Sequence, residues 1–324
     1  MDEKGSISPL IHNLIQSLEN SPDILQFRAF KKRMNMSILF LVIFLFGTFG
    51  FLMIVSEFAQ EYSKYAFLLV IAAFFSIFAF MISTSKKTQQ HAERYKTLVV
   101  EKLIRDIDKR FQYSPLDKIS KEDFVDAGLF NYVPNRYKGS DLFSLNGKVN
   151  VKFSDVKAKR KSGGGKSSRT RTIFKGQFYI FDLHEKLSEG PMYFLRGKED
   201  LLTASLGKVM KIFGGKGRGV AIPISDPAIG NEFRMFAPSE DIGMSFSNKF
   251  LSIARGLRSK YPERAFVFSF KQHRFSLGFS GRSNRFECSF AREILNPKIL
   301  QLYIDDFKES IDIVDFALSE LEKW

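Results

Sequence analysis

The sequence predicts a membrane-anchored α+β protein: an N-terminal transmembrane helical hairpin, then a cytosolic domain with a mainly antiparallel sheet, flanking helices and a long C-terminal helix. Three observations predict it. Met36–Val55 (MSILFLVIFLFGTFGFLMIV) and Tyr65–Thr84 (YAFLLVIAAFFSIFAFMIST) are runs of twenty residues without a charge. From about Phe143 the apolar period changes to two, as strands require. Near the end, apolar residues recur at alternating steps of four and three.

At about 1.5 Å per helical residue each charge-free run reaches roughly 30 Å, the thickness of a bilayer's hydrocarbon core. The expected division is 1–35, N-terminal amphipathic helices; 36–84, the hairpin with spans 36–55 and 65–84; 85–135, a helical stalk; and 136–324, the α+β domain ending in helix 297–323. Arg28, Lys31, Lys32 and Arg33 precede the first run, and Lys86, Lys87, Arg94 and Lys96 follow the second. Basic flanks stay in the cytoplasm, so both termini are expected on the cytoplasmic side of the membrane. Neither run holds an Asp, Glu, Lys, Arg or His, which argues against a pump or transporter. Gly47, Gly50, Ala72, Ser76 and Ala79 are small residues that let two helices approach closely.

Ser8-Pro9 and Ser21-Pro22 each read as a helix start, with Leu10, Ile11, Leu14, Ile15 and Leu18 on one stripe. Lys86–Gln112 keeps helical spacing until Ser114-Pro115. Ser120-Lys121-Glu122-Asp123 resembles a capping box ahead of Phe124 and Val125. Val149, Val151 and Phe153 alternate with polar residues, and Ile173–Phe181 is a dense apolar strand. Phe266–Phe270 and Phe275–Phe279 read as a β-hairpin, Arg285–Phe290 as a further strand and Phe246–Tyr261 as a helix. Asn296-Pro297 opens the last helix, where Leu300, Ile304, Phe307, Ile311, Val314, Leu318 and Leu321 form three heptads. Packing on the protein's own sheet comes first for that stripe, and self-association as a homo-oligomer second.

The net charge of +14 and a pI near 9.6 fit a domain held at an anionic leaflet or one that binds nucleic acid. A single cysteine, Cys288, excludes an intramolecular disulfide. The densest basic feature is Lys157–Thr172 (KAKRKSGGGKSSRTRT), read as a solvated hairpin loop whose Lys157, Lys159, Arg160, Lys161, Lys166, Arg169 and Arg171 are candidate anion-binding residues. Gly165-Lys166-Ser167 is not a phosphate-binding loop, because Arg160 stands where that motif needs glycine. A second basic, glycine-rich stretch, Phe213–Gly219, carries no dinucleotide fingerprint, although the two stretches together would make one patch.

His12, His91, His184 and His273 lie apart, none at metal-ligand spacing, so no metal or other cofactor is expected. Asp182-Leu183-His184-Glu185 reads as surface polar residues, Asp226, Glu240 and Asp241 as turn residues, and Cys288 as a buried thiol on a strand with Phe286 and Phe290. No catalytic constellation is expected.

The segment Ile173-Phe174-Lys175-Gly176-Gln177-Phe178 and the stretch from Asp226-Pro227 through Phe233, Phe236 and Asp241 resemble motifs of the bacterial two-span membrane proteins of the domain of unknown function 3137 family. That resemblance implies a bacterial membrane protein and supplies no activity, cofactor or catalytic residue. The function expected from the whole chain is a non-enzymatic integral membrane scaffold or sensor whose cytosolic domain binds a protein partner. Two other readings stand beside it: a membrane-tethered binder of nucleic acid or anionic lipid through 157–172, and an enzyme with an unrecognised site.

Overall fold

The computed structural model describes residues 8–58, 75, 77, 87–130, 132–163, 168–185, 190–196, 218–283, 285–288 and 293–324. Two compact units emerge, one made of 1–103 with 287–302 and the other of 104–286 with 303–324.

The first unit is helical. Helix α1 (Pro9–Leu18) begins after Ser8 with proline in its first turn and buries Ile11, Leu14 and Leu18, as its stripe predicts. Helix α2 (Pro22–Phe58) begins at the second Ser-Pro signal and buries Ile24 and Phe27. Residues 87–95 are helical and pass into a π-helical turn at Lys96–Val100, followed by α3 (Glu101–Ile107). Phe27 meets the edges of His91 and Tyr95, and Lys102 donates to Ser17 Oγ at 2.7 Å.

No helix among the described residues is long and apolar enough to cross a membrane. This corrects the membrane-anchored hairpin expected as the fold's defining element. Over 22–48, α2 carries Asp23, Arg28, Lys31, Lys32 and Arg33. These charges occupy the first turns of the same helix that carries the apolar run, so α2 is not a uniformly apolar rod. The second expected span, 65–84, lies outside the described residues apart from Phe75 and Ile77.

The second unit is built on one nine-stranded antiparallel sheet, ordered β1-β2-β3-β4-β9-β8-β5-β7-β6. Its strands are β1 (Gln112–Ser114), β2 (Arg136–Leu145), β3 (Val149–Ser162), β4 (Arg169–Leu183), β5 (Met192–Arg196), β6 (Val220–Ile222), β7 (Phe233–Ala237), β8 (Phe266–Lys271) and β9 (Arg274–Ser280). The spine is the β3–β4 hairpin, paired from Val149↔Leu183 to Ser162↔Arg169 with a one-residue shift after Ala158. Arg285–Cys288, expected as strand, is turn and irregular chain.

Alternation along the strands sends side chains to two covered faces. One face carries Val156, Ala158, Phe174, Phe178, Ile180, Tyr193 and Leu195. It is closed by α4 (Lys121–Asp126), whose Ser120 cap accepts from the Asp123 N–H at 2.9 Å as the capping pattern predicts. The other face is dominated by phenylalanine. Phe143 lies opposite Phe153, Phe153 opposite Tyr179, Phe181 opposite Phe275, Phe270 opposite Phe275, and Phe194 opposite Phe268. Such cross-strand aromatic pairs each contribute about 0.2–1 kcal/mol beyond burial alone.

Two long helices cover that aromatic face. α6 (Glu240–Lys260) follows the short α5 (Pro227–Gly230), so Glu240 and Asp241 open a helix rather than a turn. Phe250 of α6 packs on Phe268 and Phe270. Helix α7 (Pro297–Leu321) sets Phe307 on Phe143 at 5.1 Å, and Trp324 beyond its end stacks on Phe270 at 4.3 Å.

Gly176 pins the register of the central strands. Its φ is +152°, and a Cβ there would lie 1.9 Å from the Phe279 carbonyl oxygen. We expect Gly176→Ala to destabilise the fold by about 3 kcal/mol or more in urea unfolding, through strain and collision together. Gly147→Ala, where the nearest atom is 3.9 Å away, should change stability by no more than about 0.5 kcal/mol.

Candidate anion-binding face

The basic residues of 157–172 do not form a loop. Lys157–Ser162 complete β3 and Arg169–Thr172 begin β4, and only 164–167, which include Lys166, lie outside the described residues. The strand period therefore sorts them. Lys157, Lys159 and Lys161 continue the face of Phe153 and Asp155; Arg160 and Arg171, paired directly, continue the face of Ala158.

Arg160 and Arg171 both lie against the ring of Tyr132, at 5.3 and 5.6 Å from its centroid. Arg169 is exposed and pairs with Ser162. Asn135 brackets Lys161, donating to its carbonyl and accepting from its N–H, both at 2.8 Å.

The opposite side gathers more cations than the sequence reading selected. Lys138 of β2 is the register partner of Lys157, which is the partner of Lys175 on β4. Three lysines thus lie in a row across three neighbouring strands. Arg136 is the partner of Lys159, and Lys161 completes the set. Strands lie about 4.8 Å apart, so each adjacent pair of these charges repels by something on the order of 1 kcal/mol even in water. Among the described residues none of Arg136, Lys138, Lys157, Lys159, Lys161 and Lys175 has an ion-pair partner. Arg136, Lys138 and Lys175 were legible in one signal, the alternation Arg-x-Lys and Lys-x-Lys-x-Lys, once strand pairing is granted.

Where the aromatic face meets this cationic end, a buried polar junction fixes α7 to the sheet. Asp155 accepts from the Arg285 N–H at 2.9 Å. Arg285 Nη1 donates to Glu309 at 3.0 Å and lies 3.5 Å from Asp306. Gln177 donates to Ser310 at 2.8 Å and accepts from the Tyr179 hydroxyl at 2.7 Å. Burial drives the Tyr179 hydroxyl above its ordinary pKa, so it stays protonated and serves as a donor.

The heptad residues of α7 divide differently from a coiled-coil seam. Leu300, Ile304, Phe307, Val314 and Leu321 are buried within this chain, while Ile311 and Leu318 are half-buried. The acidic side is engaged: Asp306 with Arg282, Glu309 with Arg264 and Arg285, Asp315 with Arg110.

Elsewhere the singled-out residues serve the fold. Asp182 pairs with Arg274 at 2.7 Å, and His184 lies 3.4 Å from the Gly147 carbonyl. Asp226 caps α5 and pairs with Arg255. Of Phe213–Gly219 only Arg218 and Gly219 are described. Arg218 is buried, donates to the carbonyls of Gly128 and Leu129 and lies 4.8 Å from the Tyr193 ring, so it adds nothing to a surface patch. His91 is held neutral, its pKa lowered by burial and by Arg94, and lies among Phe27 and Phe30. No group of three or more His, Cys, Asp or Glu able to hold a metal occurs among the described residues. No family model matches the chain, nor does any curated protein or solved structure.

Cys288, read from the sequence as a buried strand thiol, is half-buried in irregular chain. Arg285 and Cys288 each yield a prediction. Removing one partner of a buried ion pair leaves the other charge uncompensated, so Arg285→Met should cost about 3–5 kcal/mol in chemical denaturation. Burial, with Glu287 beside it, pushes the Cys288 thiol up to about 12 from 9.0. Between those values the folded chain keeps a proton that the unfolded chain has lost, so stability falls as pH rises through that window. Iodoacetamide near neutral pH should accordingly label Cys288 slowly in the native protein and rapidly after unfolding; equal rates would show a reactive thiol.

Proposed function

We propose that this protein is a binding module, a scaffold or sensor, whose cationic sheet face holds an anionic partner. The observation that carries the reading is the row Lys138–Lys157–Lys175 with Arg136, Lys159 and Lys161 beside it, all on one face and without internal counter-charge. Like charges opposite one another on neighbouring strands oppose sheet formation. A ligand that supplies several negative charges at once relieves that repulsion and gains its own attraction. The flat array suits an extended polyanion better than a single small anion, because the cations are spread over three strands instead of converging on one point. The two-span membrane family that 173–178 and 226–241 resemble brings no assigned activity, so it adds no chemistry to this reading.

The test replaces Lys138, Lys157 and Lys175 together by Ser. Binding of long-chain polyphosphate and of a duplex oligonucleotide should weaken at least about tenfold, and for the duplex the slope of log affinity against log salt should flatten by roughly 2–3 units. Stability should be unchanged or higher, since repulsion has been removed. Affinity and slope both equal to those of the parent chain would overturn the reading.

A further inference from the structure

The first unit holds a different arrangement, independent of the sheet face. A shallow groove of about 430 Å³ is lined by Arg28, Lys31, Lys32, Asn35, Met36 and Leu39. Steps of three and four put these residues on one stripe of α2, about 16 Å from end to end. The stripe changes character along its length. Arg28, Lys31 and Lys32 make its first turn cationic, Asn35 is the transition, and Met36 and Leu39 are apolar. Ile43 and Phe46 continue the apolar line, 58% and 74% exposed. Arg28 is shared with Glu19 at 3.4 Å, an exposed pair of little strength.

A groove that is cationic at one end and apolar at the other matches one chemistry: an amphiphile with an anionic head and a hydrocarbon tail. Head-group oxygens meet Arg28, Lys31 and Lys32, and methylenes cover Met36, Leu39 and Ile43, whose exposure to water is unfavourable by roughly 25 cal/mol per Å². A second copy of α2 would cover the apolar part but would bring a second set of cations against the first. Charge complementarity therefore favours the lipid. We propose that this stripe is a binding site for an anionic phospholipid of a membrane leaflet, the chain lying along α2 and not following it across the bilayer.

The test uses the full-length chain and sedimentation with vesicles of phosphatidylcholine alone or with phosphatidylglycerol. Binding should require phosphatidylglycerol. Arg28→Ser, Lys31→Ser and Lys32→Ser together should lower it at least about tenfold, and Leu39→Ser with Ile43→Ser should lower it as well. Each variant must keep the parent's helical circular dichroism and its polyphosphate binding, which report folding separately. The variant lacking Lys138, Lys157 and Lys175 should bind these vesicles within about threefold of the parent. Vesicle binding lost in that variant and kept in the α2 variants would overturn this proposal while leaving the sheet-face reading standing. Equal binding to both vesicle types, no binding to either, or α2-dependent self-association without lipid would also overturn it.

Discussion

The pairing of β3 with β4 is the constraint on which the second unit depends. Because side chains alternate with a period of two, register decides at once which residues enter the core and which face outward. Odd-numbered residues of β3 bury Val151 and Phe153 on the aromatic face and then carry Lys157, Lys159 and Lys161 beyond it. A slip by one residue would drive those lysines against Tyr137 and Phe174 and expose Phe153. Two devices prevent the slip. The pairing leaves out Ile173 of β4 opposite the Ala158–Lys159 step, and Gly176 adopts a backbone that side-chain-bearing residues avoid. Core and cationic face are thus two ends of one alternation.

Much of this was readable from local signals, and the failures have definite causes. Ser8-Pro9, Ser21-Pro22, Ser120 and Asn296-Pro297 mark real helix starts because the missing or capped N–H groups are a local matter. The Phe266–Phe279 hairpin was legible because alternation and a tight turn coincide. The basic segment was misread because glycines and charges dominate its composition, whereas its conformation is set by pairing with a partner strand. For the same reason Arg136, Lys138 and Lys175 escaped notice: cross-strand neighbours lie far apart in sequence. Arg285–Phe290 alternates like a strand, but Arg285 is held by Asp155 and Glu309, a side-chain demand that no propensity encodes. The apolar run in α2 was read by itself, although it continues from a turn dense in cations, and the two halves have to be read as one helix.

Most of the ion pairs that tie the second unit together use arginine. Arg110, Arg255, Arg258, Arg264, Arg274, Arg282 and Arg285 all face carboxylates. The planar fork of guanidinium bonds in defined directions and tolerates partial burial, which suits it to tying α7, α4 and the strands together. The row on β2, β3 and β4 is made of lysine, whose compact charge on a flexible stem keeps its hydration. The paired arginines and the unpaired lysine row are consequently different residues in different places, and substituting Lys138, Lys157 and Lys175 breaks none of these ion pairs.

That separation explains why an acidic helix belongs in a protein of net charge +14. Asp306, Glu309 and Asp315 of α7 neutralise arginines that would otherwise be buried or crowded without partners. Each carboxylate engaged in this way is one fewer available to quench the lysine row. Had the same acids been spread over β2–β4, the sheet tip would be locally neutral, and Arg285, buried at the α7 junction, would carry the desolvation penalty of unpaired charge, several kcal/mol. Concentrating the acids on one helix therefore secures the fold and leaves the lysine row without internal counter-charge.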